Sequence, residues 1–119
     1  MIAIVDDDQR MIESLEELLE SAGHTALAFS SAQALLNSRV LSGIDCLITD
    51  IGMPGMDGFE LQRVVLDKRP DLPVILITGH HELSELSQVK SKLFFRKPFD
   101  GQVLLAAIGD ALTGRERPP

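Results

Sequence analysis

Ile2-Ala3-Ile4-Val5-Asp6-Asp7-Asp8 decides the reading: four apolar residues, three of them β-branched, run straight into three carboxylates. Short apolar runs rich in β-branched residues, bounded by turn-forming ones, are the signature of a buried strand. A second run, Cys46-Leu47-Ile48-Thr49, ends the same way in Asp50. Working outward, the runs at 25–29, Val74–Thr78 and 93–95 repeat the pattern, and Lys97-Pro98 follows the last of them. Segments with helical spacing lie between: Met11, Leu15, Leu18 and Leu19; Leu35 and Leu36; Phe59, Leu61, Val64 and Val65. Gly23 is placed to close the first helix, Ser30 or Ser31 to cap the second, and Pro70 and Pro73 bracket the turn after the third. The interval 82–90 offers only a weak, short helix. A last helix is expected over 100–112, with Asp100 as N-cap and Leu104, Leu105, Ala107, Ile108 and Leu112 on its apolar side.

Strict alternation of strands and helices predicts an α/β fold with a parallel sheet covered on both faces, because parallel strands need crossover connections. In such open sheets reactive groups gather at the carboxyl ends of the strands. Asp6, Asp7, Asp50, Thr78 and Lys97 all lie at or just past such ends.

Size and composition narrow the function. A chain of 119 residues, 45% hydrophobic and 24% charged, suits one globular domain. Five Phe and no Trp or Tyr leave the core to aliphatic side chains. No apolar run approaches the roughly 20 residues that span a bilayer, and the first strand begins too soon after Met1 for a signal peptide. A soluble, cytoplasmic protein without membrane contact is expected. The net charge of -7 repels a phosphate backbone, so direct nucleic-acid binding is not expected. Cys46 is the only cysteine and sits in an apolar run, which reads as a buried thiol. His24, His80 and His81 show no partner pattern suited to zinc.

Convergence of Asp6, Asp7 and Asp50 would be unfavourable on its own. Two carboxylates about 4 Å apart repel by about 4 kcal/mol at an effective dielectric near 20. Either a carboxyl takes up a proton or a divalent cation occupies the site, and all-oxygen ligands suit Mg²⁺ or Mn²⁺. A carboxylate can also act as a nucleophile toward phosphorus, and Asp50 is the best placed. It is followed by Ile51-Gly52-Met53-Pro54-Gly55-Met56-Asp57-Gly58, a loop whose glycines and proline fix a tight path. Lys97 supplies a mobile point charge and Thr78 a hydroxyl donor for a transferring phosphoryl group. Asp8 reads as the cap of the first helix.

Taken in order, Ile4-Val5-Asp6-Asp7-Asp8, Asp50 with Met53-Pro54-Gly55-Met56-Asp57-Gly58, Ile77-Thr78-Gly79 and Lys97-Pro98-Phe99 resemble a response-regulator receiver domain over essentially the whole chain. The flanking residues resemble receivers of the nitrogen-fixation and nodulation regulators. The resemblance implies a flavodoxin-like (βα)5 three-layer sandwich with strand order 2-1-3-4-5. It further implies that Asp50 accepts a phosphoryl group from a sensor histidine kinase or a histidine phosphotransfer protein. Asp7, Asp50 and the backbone carbonyl of Gly52 would hold Mg²⁺, with Asp6 acting through water, while Lys97 and Thr78 would contact the phosphoryl oxygens. Thr78 would then draw toward the phosphate, Phe94 would turn inward behind it, and the changed surface would serve an output, including homodimerisation. His80, two residues after Thr78, is a candidate modulator of the attacking water, against the plainer reading of a surface histidine.

The chain departs from the family between Thr78 and Lys97, which lie fewer residues apart than usual, and in Ser91-Lys92, where Gly-Ala is customary. A shortened fourth helix and an altered output face are expected. The polar tail 113–119 reads as the start of a linker after a domain at 1–112, with a DNA-binding output domain beyond it by resemblance. Two rival readings are a Mg²⁺-dependent phosphohydrolase working through an aspartyl phosphate and a docking module indifferent to phosphorylation. The hydrolase is disfavoured by Gly52, which stands where such enzymes place an acid/base carboxylate.

Overall fold

Alternation along each strand sorts the core into two layers, one on either face of the sheet. In the computed structural model, which describes residues 1–78, 94–97 and 99–113, the elements run β1 (Ile2–Val5), α1 (Gln9–Ser21), β2 (Ala26–Phe29), α2 (Ala32–Ser38), β3 (Cys46–Asp50), α3 (Gly58–Lys68), β4 (Val74–Thr78), β5 (Phe94–Arg96) and α4 (Gly101–Thr113). A single 3-10 turn, Leu41–Gly43, lies between α2 and β3. All strands are parallel, in the order β2-β1-β3-β4-β5. This is the order the resemblance implied.

Ala3, Val5, Leu47, Val74 and Leu76 point to one face and pack with Ala32 and Leu35 of α2 and Leu61 and Val65 of α3. Ile2, Ile4, Cys46, Ile48, Ile75 and Ile77 point to the other, against Ile12, Leu15 and Leu19 of α1 and Leu104 and Ile108 of α4. The period of two in the strands and the i, i+3/i+4 stripes of the helices therefore fix which residues meet. Because β1, β3 and β4 are covered on both faces, they are apolar up to their carboxyl ends, where Thr49, Asp50 and Thr78 stand, rather than alternating with polar residues.

Helix ends follow local chemistry. Asp8 caps α1, its Oδ1 accepting from the Arg10 amide at 3.0 Å, and Gly23, at φ +89°, takes the left-handed conformation that lets the chain leave the helix. Of the two serines considered for α2, Ser31 is the cap, accepting from the Ala34 amide. Asp100 caps α4 through the Gln102 amide at 2.8 Å.

Boundaries shift by a residue in places. β2 starts at Ala26 rather than Thr25, and β3 runs on to Asp50 because the Ile51 amide continues the ladder to the Ile77 carbonyl at 2.8 Å. β5 runs on to Arg96, one residue past its expected end, while Leu93 lies outside the described residues, and α4 includes Thr113. Leu112, expected on the apolar side of α4, is 37% exposed, since the buried stripe of that helix is carried by Leu104 and Ile108. The expectations for His80, His81, the weak helix at 82–90, Ser91-Lys92, Pro98 and the tail from 114 onward lie outside the described residues.

Candidate functional site

Four strand ends meet along the carboxyl edge of the sheet. β1 leads directly into Asp6, whose amide extends the ladder to the Phe29 carbonyl at 3.1 Å. β3 ends in Asp50 and β4 in Thr78, and the Thr78 carbonyl accepts from the Lys97 amide at 2.8 Å, which carries Lys97 one step past β5. Parallel register does the rest, since each strand delivers its last residue to the same edge.

Asp6, Asp7 and Asp50 each bring a carboxylate oxygen within 4.8 Å of the others. Asp6 and Asp50 are buried, at 1% and 6% exposure, while Asp7 faces solvent. One oxygen of Asp6 accepts from the Asp8 amide at 2.9 Å; the other lies 3.4 Å from Lys97 Nζ, and Asp50 Oδ1 lies 3.5 Å from the same ammonium. Thr78 is fully buried one strand over.

The electrostatics match the crowding. Burial, reinforced by the charge of Asp6 and partly offset by Lys97, pushes the Asp50 carboxyl up to about 6. Burial also raises Asp6, against the Asp8 amide and Lys97, which favour its charged form. Burial works against the Lys97 charge, but the carboxylates of Asp50 and Asp6 outweigh it and the ammonium is held above its ordinary range. Among the described residues one ammonium serves two buried carboxylates, with a third beside them, so these groups together carry surplus negative charge at neutral pH. An all-oxygen donor set of this kind fits a hard divalent cation. By contrast, Cys46 has no such partner: burial pushes its thiol up to about 12, as a structural core sulfur.

Of the residues picked out from sequence, Asp6, Asp7, Asp50 and Lys97 come together and Thr78 joins the same edge. Gly52 lies exposed two residues beyond Asp50. Phe94 opens β5 opposite Leu76, and the expectation for its side chain, like His80, lies outside what is described. Sequence reasoning passed over two residues beside Asp50. Thr49, buried in β3, donates its hydroxyl to the Asp50 carbonyl at 3.1 Å, and Gly58 packs against the Asp50 backbone. It also read Asp57 as loop, although Asp57 and Glu60 form a capping box at the start of α3. The Asp-x-x-Glu spacing would have found it.

A doubly wound parallel sheet with an acidic, lysine-braced cluster at its carboxyl edge defines the class. Residues 2–109 match the response regulator receiver domain family, and the chain belongs to that family. It is 39% identical over 115 residues to the response regulator protein TmoT of Ectopseudomonas mendocina, covering 94% of this chain and 52% of that protein. It is 34% identical over 118 residues to the transcriptional regulatory protein FixJ of Bradyrhizobium diazoefficiens, covering 97% and 58%. Among solved structures, a response regulator receiver domain protein from Clostridium thermocellum superposes with a TM-score of 0.87 at 29% identity, covering 97% of this chain and 95% of that one. Full-length FixJ from B. japonicum gives 0.81 at 35% identity, covering 98% of this chain and 59% of that one. The chain spans about half the length of the curated relatives it matches. The fold is thus the flavodoxin-like receiver fold, the chain is a signalling module of the two-component type, and the likeness to FixJ agrees with the nitrogen-fixation flavour read from sequence. Among the described residues no helix is long and apolar enough to cross a membrane.

Proposed function

We propose that Asp50 is the phosphoacceptor of a cytoplasmic two-component switch. The observation that supports it is the gathering of Asp6, Asp7 and Asp50 within 4.8 Å, with Lys97 bridging Asp6 and Asp50. A carboxylate oxygen of Asp50 attacks the phosphorus of a phosphohistidine on a sensor kinase or histidine phosphotransfer protein; the P–N bond breaks, the imidazole departs with its electron pair, and an acyl phosphate remains. Lys97 stabilises charge on the equatorial oxygens, and Thr78 donates to one of them. Water later attacks the same phosphorus, the acyl oxygen leaves as the Asp50 carboxylate, and inorganic phosphate carries away the water's protons; His80 is the candidate modulator of that step. Mg²⁺, or Mn²⁺ in its place, would be held by Asp7, Asp50 and the Gly52 carbonyl, with Asp6 through water, and would neutralise charge on the phosphoryl group.

The switch follows from differential contact. Moving a two-state balance from 1:99 to 99:1 takes about 5.5 kcal/mol, within reach of a dianionic group gripped by a cation, Lys97 and Thr78. Phe94 is proposed to follow Thr78 inward. The domain runs to the end of α4 at Thr113, one residue past the expected boundary at 112, with a linker after it leading to a DNA-binding output domain, and phosphorylation favours a homodimer. The printed names of TmoT and FixJ, a response regulator and a transcriptional regulator, support this reading.

Incubation with Mg²⁺ and acetyl phosphate, followed by intact mass measurement, is expected to give one phosphoryl group per chain, none in Asp50→Asn and none in EDTA. Rapid repeated turnover of phosphomonoesters would favour a phosphohydrolase instead, and absence of uptake a docking module.

A further inference from the structure

The backbone behind Asp50 is closely packed against the start of α3. Gly58, the first residue of α3, is buried, and a Cβ placed on it would stand 2.4 Å from the Asp50 carbonyl oxygen, 2.7 Å from Ile51 Cα and 3.0 Å from the Asp50 carbonyl carbon. Contacts below 3.0 Å essentially never occur for real Cβ atoms, and all three neighbours are backbone, which cannot swing aside as a side-chain tip would. Conformation is not the reason for this glycine, since only Gly23 and Gly55 are the glycines with positive φ among the described residues. The need is proximity alone.

The same stretch of backbone is held from its other sides. The Ile51 amide donates to the Ile77 carbonyl at 2.8 Å, and the Ile51 carbonyl accepts from the Gly58 amide at 2.9 Å and the Met53 amide at 3.1 Å. The buried Thr49 hydroxyl donates to the Asp50 carbonyl at 3.1 Å. The Asp50–Ile51 peptide thus sits in a clamp formed by β4, the turn after β3, Thr49 and the bare face of Gly58.

We propose that Gly58 is a positioning residue for phosphoryl transfer: by presenting no side chain it lets α3 press on the Asp50–Ile51 peptide and so sets where the Asp50 carboxylate stands relative to Asp6, Asp7 and Lys97. A methyl at 58 forces the backbone to part by roughly half an ångström or more, and reacting groups misplaced by about 1 Å can cost about 100-fold in rate. The assignment rests on Asp50 being the acceptor.

The test compares wild type, Gly58→Ala, Thr49→Val and Gly109→Ala. Helix propensity favours alanine at a helical glycine, and a Cβ at Gly109 meets nothing within 4 Å, so Gly109→Ala controls for the substitution itself. Expected for Gly58→Ala is a cooperative unfolding transition, phosphoryl uptake from acetyl phosphate slowed roughly 10- to 100-fold, weaker Mn²⁺ binding by calorimetry, and displaced Asp50 and Ile51 amide resonances; Gly109→Ala should match wild type. Uptake and Mn²⁺ affinity equal to wild type in a folded Gly58→Ala, whatever its stability, would overturn the assignment. Should Gly58→Ala fail to fold, Thr49→Val decides, because it keeps the shape of a β-branched strand residue and removes only the hydroxyl's hold on the same peptide: slower uptake and weaker Mn²⁺ binding support the clamp, and wild-type values overturn it. A wild-type chain that takes up no phosphate overturns the reading of Asp50 and this assignment with it, whereas normal wild-type uptake with an indifferent variant overturns the assignment alone.

Discussion

Asp50 is costly to keep where it is. Its carboxyl titrates near 6 in the folded chain against an ordinary 3.8, so between those values the folded state holds a proton that the unfolded state has released. Stability therefore falls as pH rises through that window, by up to about 3 kcal/mol, and the raised Asp6 adds in the same direction. In metal-free buffer, urea unfolding from about pH 4 to about pH 7 should trace this decline. Asp50→Asn should flatten the profile and exceed wild type in stability at neutral pH; a wild-type profile that rises over the window would contradict the assignment of strain to this cluster. The cluster was legible in the sequence because carboxylates after apolar runs announce themselves by residue type. Thr49 and Gly58 were not, because one reads as an ordinary β-branched strand residue and the other as an ordinary turn glycine until distances to the Asp50 backbone are known.

At the level of elements, α3 carries the loop that follows Asp50, and its start is fixed by the reciprocal bonds of Asp57 and Glu60: the Glu60 amide to Asp57 Oδ1 at 2.9 Å, and the Asp57 amide to Glu60 Oε1 at 3.1 Å. Removing the cap with Asp57→Ala should cost about 1 kcal/mol in chemical denaturation, since the Glu60 amide loses its side-chain acceptor. Sequence reasoning found the helices capped by Asp8, Ser31 and Asp100 because each sits immediately before an apolar periodic run. It passed over Asp57 because the Pro-Gly-rich stretch before it reads as loop without a sharp edge. The extension of β5 past Phe95 has a similar origin, as hydrophobicity marks the run but not where pairing stops, and Arg96 pairs with Thr78.

Across the whole molecule, the end of the sheet opposite the site is braced by Arg69. Its Nη1 donates to the carbonyls of Leu41 at 2.9 Å and Ile44 at 3.1 Å, while Nε and Nη2 hold Asp71. Arg69→Ala should lower the denaturation midpoint, since the Leu41 and Ile44 carbonyls lose a charged donor, and leave phosphoryl uptake unchanged. Lysine is not expected to restore it, lacking the planar fork. Nothing in the sequence singled out Arg69, whose partners besides Asp71 are backbone atoms 25 and 28 residues away. The layered architecture, by contrast, was readable from alternation alone, and the strand order through likeness to known receivers. Lys97 reaches Asp6 across a separation of 91 residues, and every connection between them is a crossover. A chain cut short before β5 would therefore lack the ammonium that braces Asp6 and Asp50, so the last strand to leave the ribosome is the one that brings the counterweight to the first.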